Sequence, residues 1–312
     1  MAGLYVVILA AGRSKRINSK KSKLLLPLCG KELLAYPTEA ALSLEPEKVI
    51  LVVGGPHRDC IIKNFSRYNP VFVEQPQPLG TGDAVRKTEE HIPGDAEVLV
   101  MPGDAPLIKG STLKALVEFH REKKAVATVL TVEHPNPTGY GRIVRSKGDR
   151  IMMIVEEKDA FPEERAIKEI NSGIYVFESN KLFEALRDIR PDNKQGEYYL
   201  TDVIEILQRR EKRVYAFKID NYREITGVNT REQFSEAVIY MQEEIKKYWL
   251  SQGVTFIDPR LVYIESDVQI GKDAVIYPFV SLLGKTKVGQ DAVIGPNRIL
   301  KDMEVPDGEE LF

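Results

Sequence analysis

The C-terminal part of the chain carries a six-residue repeat. In hexads counted from Val262, the third position is aliphatic seven times in succession, at Ile264, Ile270, Ile276, Leu282, Val288, Ile294 and Leu300. One large aliphatic residue in every six is typical of a parallel β-helix, in which each short strand points one such side chain into the solenoid axis. We therefore predict a short left-handed parallel β-helix over residues 253–312. The alternative, a two-sheet module of irregular strands, gives no reason for the constant register.

Before residue 231, short apolar runs alternate with helix-like segments. The runs lie at 4–10, 48–55, 70–75, 97–104 and 126–133. Runs that are apolar without strict alternation suit strands that are covered on both faces, and helical segments between them indicate parallel connections. The sequence therefore predicts an α/β fold over residues 1–230, with a Rossmann-like, doubly wound and mostly parallel sheet. Later apolar runs, from residue 150 onwards, extend this sheet or add strands at its edge.

A long helix is predicted between these two parts. Its apolar residues recur at intervals of four, three, four and four, and they are Phe234, Val238, Met241, Ile245 and Trp249. Such spacing places them on one stripe of a helix. We interpret residues 231–252 as a linking helix that closes the first domain. The alternative is a helix that packs on its own domain and has no further part.

Charge and cysteine content exclude several classes of protein. Among the 312 residues, 44 Lys and Arg balance 46 Asp and Glu, which leaves no general positive charge for nucleic acid or anionic membranes. Two cysteines, Cys29 and Cys60, are too few for a disulfide-built secreted scaffold. The apolar residues 4–11 precede a basic run, which is the reverse of a secretory signal. We expect a cytoplasmic protein without nucleic-acid or membrane partners.

A cluster of basic residues follows the first predicted strand. Six of them lie within eleven positions, and they are Arg13, Lys15, Arg16, Lys20, Lys21 and Lys23. Open α/β sheets bind ligands at the carboxyl ends of their strands, where backbone N–H groups and cations can meet a phosphate chain. A solvated basic loop is the alternative. The spacing matches neither a Walker loop nor a G-x-G-x-x-G turn, which argues against a P-loop NTPase and a dehydrogenase.

From this point the chain resembles the sugar-1-phosphate nucleotidylyltransferases, and most closely the bacterial N-acetylglucosamine-1-phosphate uridylyltransferases. The family signature LAAGxGTR…PKL is similar to LAAGRSKR at 9–16 followed by SKLLL at 22–26. Similar segments then follow in the family's order, and they are QPLGTGDA at 77–84, PGDAPLI at 102–108, PTGYGRI at 137–143, IVEEKDA at 154–160, EINSGIY at 169–175, GEYYLTD at 196–202 and GVN at 227–229. The resemblance covers nearly the whole chain. It implies the nucleotide-diphospho-sugar transferase type of α/β fold, followed by a hexapeptide solenoid.

The resemblance also implies a reaction. UMP is transferred from UTP to N-acetylglucosamine 1-phosphate, which gives UDP-N-acetylglucosamine and pyrophosphate, with Mg²⁺ as cofactor. Because this reaction brings two polyanions together, its site needs Mg²⁺ and positioned cations more than a nucleophile. By resemblance, Arg16 and Lys23 are the catalytic cations along the phosphates, and Asp104 and Asn229 are the oxygen ligands of Mg²⁺. Without the resemblance, Asp104 is a turn residue and Asn229 a helix N-cap.

Further contacts are implied in the same way. The nucleotide-binding residues are Leu9, Ala10, Ala11, Gly12, Gln75, Gly80, Thr81 and Gly103. The amide of Gln75 is expected to offer a donor and an acceptor to the edge of the uracil ring. The sugar-binding residues are Gly141, Glu156, Asn171 and Thr201. Two other motif glycines, Gly82 and Gly139, serve only turns in the alternative interpretation.

The sequence departs from the family pattern at four positions. The second glycine and the threonine of the phosphate loop are Ser14 and Lys15, the proline before the motif lysine is Ser22, and the tyrosine before Gly-Asp is Pro102. These departures leave the exact sugar and nucleotide preference open. Glucose 1-phosphate with UTP or dTTP is an alternative substrate pair, and a non-catalytic nucleotide-sugar-binding regulatory protein is an alternative of another class.

The repeat region lacks histidine. All four histidines precede residue 135, so no imidazole is present there for the general base that the family's acetyltransferase uses with acetyl-CoA. We therefore predict no acetyl transfer to glucosamine 1-phosphate. The missing histidine and the size of the first domain also disfavour a pure acyltransferase or a structural solenoid. The repeat is expected to serve association, and the resemblance favours a homotrimer among homo-oligomers.

Overall fold

The protein is described by a computed structural model that covers residues 2–12, 17, 21–146, 148 and 150–312. The chain divides into two compact units. The first consists of Met1–Leu25 and Leu34–Gly227, and the second of Leu26–Leu33 and Val228–Phe312. Residues 26–33 therefore group with the C-terminal part, whereas the sequence predicts a first domain of residues 1–230 that includes them.

Strands and helices alternate through most of the chain. In chain order the strands are β1 (Leu4–Ala10), β2 (Pro27–Leu28), β3 (Lys31–Glu32), β4 (Lys48–Val53), β5 (Val71–Glu74), β6 (Glu97–Pro102), β7 (Ala127–Glu133), β8 (Arg142–Arg145), β9 (Ile151–Val155), β10 (Glu169–Glu178), β11 (Val214–Ile219), β12 (Thr255–Phe256), β13 (Tyr263–Ile264), β14 (Gln269–Ile270), β15 (Val275–Ile276), β16 (Ser281–Leu283), β17 (Lys287–Val288), β18 (Val293–Ile294), β19 (Ile299–Lys301), β20 (Glu304–Val305) and β21 (Glu310–Leu311). The α-helices are α1 (Ala35–Leu42), α2 (Arg58–Phe65), α3 (Thr81–Arg86), α4 (Gly110–Glu122), α5 (Pro162–Arg165), α6 (Ser179–Leu186), α7 (Asp202–Arg209) and α8 (Arg231–Ser251). Short 3-10 helices lie at Lys23–Leu25, Gly55–His57, Ser66–Tyr68, Glu89–His91, Tyr222–Ile225 and Pro259–Leu261. No helix in this described part is long and apolar enough to cross a bilayer.

The first unit is built on one mostly parallel sheet. Its strand order is β11-β7-β10-β6-β1-β4-β5, and β8 and β9 form a hairpin that joins it through β10. The strand β1 is parallel to β4 and β6, and β7 is parallel to β11. In β1 the consecutive residues Val6, Val7 and Ile8 are fully buried, as expected of a strand that is covered on both faces. The predicted α/β fold with a mostly parallel sheet is confirmed.

The reversed strand β10 lies inside the sheet. It runs antiparallel between β6 and β7, whereas we expected the later strands to extend the sheet or to lie at its edge. Its residues Ile174, Val176 and Phe177 are fully buried, which explains the interior place because an edge strand would leave such side chains less covered. For β11 the expectation of an edge strand is correct.

The second unit contains a parallel β-helix. Its short strands form three separate parallel sheets, with the orders β12-β15-β18-β21, β13-β16-β19 and β14-β17-β20. Every aliphatic residue of the predicted hexads is buried, so the periodicity is confirmed and the two-sheet alternative is wrong. Successive coils place Ile264 beside Leu282 and Leu282 beside Leu300. The last coil is one residue shorter, since Val288 pairs with Val305.

The helix α8 and residues 26–33 complete the second unit. Thr230 is the N-cap of α8, because its hydroxyl accepts from the Gln233 N–H at 3.2 Å while the Gln233 side chain accepts from the Thr230 N–H at 3.1 Å. Asn229 lies one residue before this cap, so the alternative role of Asn229 as N-cap is wrong. The helix packs on the β-helix core through Ile245 and Trp249.

The strands β2 and β3 form a small antiparallel pair that is bonded to the β-helix. The carbonyl oxygen of Cys29 accepts from the backbone N–H of Ser266 at 2.9 Å and from its hydroxyl at 3.0 Å. An ion pair of 2.9 Å joins Lys31 to Asp267. These contacts explain why residues 26–33 belong to this unit.

Candidate active site

A cleft of about 560 Å³ lies at the carboxyl ends of the central strands in the first unit. Because β1, β4 and β6 are parallel neighbours, the segments that follow them meet at one edge of the sheet. The cleft is lined by Leu9, Ala10, Ala11, Gly12, Lys23, Leu24, Gln75, Pro78, Gly80, Thr81, Ala84, Pro102, Asp104 and Glu197. The structure thus brings together nine of the residues for which the sequence predicted a nucleotide, phosphate or metal role.

Gly103 is not among the residues that line the cleft. Its backbone N–H donates to the carbonyl oxygen of Leu9 at 3.0 Å. A Cβ at this position would lie 2.8 Å from the Leu34 side chain and 3.1 Å from the same carbonyl oxygen. Glycine therefore allows the end of β6 to approach the end of β1. The predicted role of Gly103 in nucleotide binding stays a prediction.

An ion pair between Lys23 and Asp104 forms one side of the cleft. Both side chains lie mostly out of solvent, with exposed fractions of 10% for Lys23 and 23% for Asp104. The ammonium group thus occupies a cation position on the Asp104 carboxylate. A hard cation such as Mg²⁺ fits the same carboxylate, because Mg²⁺ is commonly held by one or two carboxylates together with water and substrate phosphates.

The other predicted phosphate and metal residues are placed differently. Arg16 lies outside the described residues. Asn229 belongs to the second unit, where its backbone N–H donates to the Gln233 side chain at 2.8 Å. Its role as a metal ligand stays a prediction. Within the described ranges, no three His, Cys, Asp or Glu side chains form a cluster that could hold a metal ion.

The side chain of Gln75 is held within the wall of the cleft. Its amide nitrogen donates to the Gly80 carbonyl oxygen at 3.0 Å and to the Asp83 carboxylate at 3.0 Å. Both partners are hydrogen-bond acceptors, so the side-chain amide must point its nitrogen, and not its oxygen, towards them. We expected Gln75 to offer both a donor and an acceptor to a base. Because its two donor hydrogens are used within the protein, only its side-chain carbonyl oxygen, an acceptor, is left for a base.

The turn before α3 docks closely on residues 198–200. Gly80 has φ 116° and ψ 171°, and a Cβ there would lie 2.7 Å from the Tyr198 nitrogen. The N–H of Gly82 donates to the Tyr198 carbonyl oxygen at 2.8 Å, and the Thr81 hydroxyl accepts from the Leu200 N–H at 3.0 Å. Both glycines are therefore required by close backbone packing, which goes beyond the turn role weighed for Gly82.

Gly139 is a different case. Its φ is +87°, and a Cβ built there would have no atom within 4 Å. Only the backbone conformation of the turn calls for glycine at this position. The turn interpretation of Gly139 therefore agrees with the structure.

The four predicted sugar-binding residues lie together in the first unit. The carbonyl oxygen of Gly141 accepts from the Asn171 N–H at 2.9 Å, and a Cβ on Gly141 would lie 3.4 Å from both carboxylate oxygens of Glu156. The Thr201 hydroxyl donates to Glu156 at 3.3 Å. Burial raises the pKa of Glu156, partly offset by this hydrogen bond. Their sugar-binding role stays a prediction.

Tyr140 was missed by the sequence analysis. Burial and the nearby charge of Asp104 raise its pKa, and its hydroxyl bonds to the Thr226 side chain and the Gly227 backbone. It is the neighbour of Gly141 in sequence, and its hydroxyl lies within the electrostatic influence of Asp104. An aromatic residue between two glycines in the segment 137–143 was the available signal.

Comparisons with known proteins show what the whole chain is similar to. Residues 5–253 match the family model described as nucleotidyl transferase. The chain is 43% identical over 308 residues to the bifunctional protein GlmU of Alkaliphilus metalliredigens (strain QYMF), with 99% of this chain and 67% of that protein covered. It is 42% identical over 305 residues to the bifunctional protein GlmU of Clostridioides difficile (strain 630), with 98% and 66% covered.

A solved structure shares the fold. The crystal structure of UDP-glucose pyrophosphorylase complexed with UDP-glucose has a TM-score of 0.62 and 22% identity to this chain, and the match covers 78% of this chain and 100% of that one. At this identity the likeness shows the fold alone. The chain spans about two thirds of the length of the GlmU relatives.

Proposed function

Because the chain belongs to the nucleotidyl transferase family and is an enzyme of that family, we propose that it transfers UMP from UTP to N-acetylglucosamine 1-phosphate with Mg²⁺ as cofactor. The products are UDP-N-acetylglucosamine and pyrophosphate. The observation that carries this proposal is the joint lining of one cleft by the Lys23–Asp104 pair and the Gln75–Gly80 turn. A cation with its carboxylate suits a triphosphate, and the turn suits a base.

The reaction joins two anions within this cleft. A phosphate oxygen of the sugar 1-phosphate attacks the α-phosphorus of UTP, and the bond from that phosphorus to the leaving pyrophosphate breaks. When bound, Mg²⁺ supplies positive charge that offsets the repulsion between the two phosphate groups. In the proposed complex Asp104 holds this ion, with Asn229 as the further oxygen ligand that the resemblance implies.

The chain's own residues orient both substrates. The ammonium of Lys23 pairs with phosphate oxygens and neutralises the charge that develops on the leaving group. Glu156, Thr201 and Asn171 offer acceptors and donors to the hydroxyl and acetamido groups of the sugar. No side chain in this scheme acts as a nucleophile.

A pyrophosphate-release assay tests the proposal. A panel of sugar 1-phosphates is combined with UTP, dTTP, CTP and ATP, with and without Mg²⁺. UTP with N-acetylglucosamine 1-phosphate is expected to be the fastest pair and to require the metal. A faster reaction with glucose 1-phosphate would replace the proposed specificity, and no release with any pair would favour a regulatory binding protein.

A matched pair of variants tests the metal role of Asp104. Asp104→Asn is expected to lower kcat by about two orders of magnitude or more while the variant remains folded, since the amide lacks the negative charge that would bind Mg²⁺ beside the phosphates. The control, Asp95→Asn, replaces an exposed carboxylate outside the cleft lining and is expected to keep full activity. Full activity of Asp104→Asn would refute the ligand assignment.

Two finer predictions concern the second unit. We propose that residues 1–312 do not transfer acetyl groups, and incubation with acetyl-CoA and glucosamine 1-phosphate tests this through thiol release.

We also propose a homo-oligomer, with the trimer favoured by resemblance. Its support is an apolar groove of about 810 Å³ in the second unit, where Ile239, Leu261 and Phe279 are exposed. Light scattering that gives a monomer would refute the oligomer.

A further inference from the structure

The amide of Gln75 faces the cleft in one fixed orientation. The residue is 5% exposed and lines the cleft, and its nitrogen donates at 3.0 Å to both Gly80 and Asp83. Among the residues that the structure describes, none donates a hydrogen bond to the side-chain carbonyl oxygen of Gln75. An acceptor is therefore the group that this side chain can present to a ligand.

Asp83 cannot turn to release this orientation. Its side chain is 2% exposed, and its two oxygens have different donors. One oxygen accepts from Gln75, and the other accepts from the Arg86 guanidinium at 3.0 Å. Arg86 in turn lies over the Tyr198 ring, with 5.2 Å from its Cζ atom to the ring centroid. The carboxylate is thus held from both sides.

A reversed amide would meet two acceptors. Rotation of the Gln75 side-chain amide by a half turn would place its carbonyl oxygen against the Gly80 carbonyl oxygen and the Asp83 carboxylate. Both donor hydrogens would lose their partners inside the protein, and unpaired buried polar groups are costly. The observed orientation is therefore the one that the buried carboxylate enforces.

We propose that Asp83, held by Arg86, is a positioning residue that selects pyrimidine bases with an imide N–H. Uracil and thymine carry a donor at N3, which matches the fixed acceptor of Gln75. Cytosine carries an acceptor at N3, which would face the Gln75 oxygen without a hydrogen between them. The inference rests on the proposed function, since it takes the base of the nucleotide to lie at Gln75.

Four forms of the full chain test this inference by calorimetric titration with UDP and with CDP in the presence of Mg²⁺. The wild type is expected to bind UDP at least about tenfold more tightly than CDP, because a site with a fixed polar group rejects a mismatched partner strongly. In Asp83→Asn the amide oxygen goes to the charged Arg86, and its NH₂ faces the Gln75 nitrogen. The orientation is then no longer enforced, and the UDP-to-CDP ratio is expected to fall to within about threefold.

The double variant separates orientation from packing. In Asp83→Asn with Arg86→Met, the new amide oxygen has no cation to bind and can accept from Gln75 again. The ratio is expected to return to at least about half of the wild-type value. Arg86→Met alone is expected to keep the ratio, because the carboxylate still accepts from Gln75. Should Asp83→Asn not fold, Asp83→Ser takes its place with the same expected loss.

Each outcome decides the inference. Loss of selectivity in Asp83→Asn with recovery in the double variant supports it. An unchanged ratio in Asp83→Asn, an equal loss of UDP and CDP affinity, or no recovery in the double variant overturns it. In those cases a wild type that binds UDP and passes the pyrophosphate-release assay leaves the proposed function intact. A wild type that does not prefer UDP overturns the inference, and only failure in the pyrophosphate-release assay overturns the proposed function as well.

Discussion

Gly80→Ala adds one methyl group at a position where both the backbone conformation and the surrounding backbone atoms disfavour it. Its backbone, at φ 116° and ψ 171°, lies in a region that glycine alone occupies readily, so Gly80→Ala costs about 1–3 kcal/mol in backbone strain. The new Cβ would also lie 2.7 Å from the Tyr198 nitrogen and closer still to its carbonyl oxygen. These are backbone atoms that hydrogen-bond to Leu79 and Gly82, and they cannot move aside as a flexible side chain can.

Strain and collision together predict a loss of about 3–5 kcal/mol in the free energy of unfolding, which lies at the high end for single substitutions. Urea unfolding of wild type and variant at neutral pH measures this loss. Gly55→Ala is the matched control, since Gly55 has φ +66° and a Cβ there would meet no atom within 4 Å. The control carries strain without collision and is expected to lose about 1–2 kcal/mol.

The comparison also tests the link between this turn and the site. Gly80→Ala is expected to weaken UDP binding at temperatures where the variant remains folded, because the Gly80 carbonyl oxygen helps to hold Gln75. Gly55→Ala is expected to bind UDP as the wild type does. Equal stability of the two variants would refute the collision, and normal UDP binding by Gly80→Ala would refute the coupling of the turn to the base site.

Three further predictions concern stability. Burial lowers the pKa of His120 from 6.5 to about 4, so the folded state binds fewer protons than the unfolded state between these pH values. The free energy of unfolding is therefore expected to fall by up to about 3 kcal/mol as the pH falls through this window. Urea titrations at pH 7, 5.5 and 4 measure this loss, which His120→Asn is expected to remove while its side chain can still bond to Thr128. Burial, reinforced by nearby carboxylates, raises the pKa of Asp202 from 3.8 to about 6, so the folded state binds more protons than the unfolded state in this range. The free energy of unfolding is therefore expected to fall as the pH rises from about 4 to 6. The same dependence of the unfolding free energy on pH in Asp202→Asn would contradict this. Leu282→Ala in the β-helix core is expected to lower the free energy of unfolding by about 2–5 kcal/mol. On the same strand Leu283 is partly exposed, and Leu283→Ala is expected to lower it by less than about 1 kcal/mol. Equal thermal unfolding of both variants would show that the inward-facing position is misassigned.

Much of the fold could be predicted because its signals are local and periodic. The aliphatic residue in each hexad identifies the β-helix, since one buried position recurs with each short strand from Ile264 to Leu300. The continuous burial of β1 likewise marks a strand covered on both faces. The pairing of residues 26–33 with residues 228–312 gave no such signal, because the contacts of Cys29 with Ser266 join parts that are far apart in the sequence.

The lining of the candidate cleft was predictable in part. Strand ends of a parallel sheet meet at one edge, and this rule together with the resemblance placed Lys23, Gln75 and Asp104 in one cleft. The role inferred for Asp83 was hidden, because an acidic residue in the first turn of a helix has an ordinary explanation in the helix dipole. Only the fold brings the Gln75 amide against its carboxylate.

The divided second unit has a consequence for synthesis on the ribosome. Leu28 and Leu33 are fully buried in the finished protein, yet residues 228–312, with which they group, leave the ribosome about two hundred residues later. At about 5–20 residues per second this delay is roughly 10–40 s. For most of its elongation the nascent chain therefore carries residues 26–33 without the partners Ser266 and Asp267 that bond to them in the finished protein.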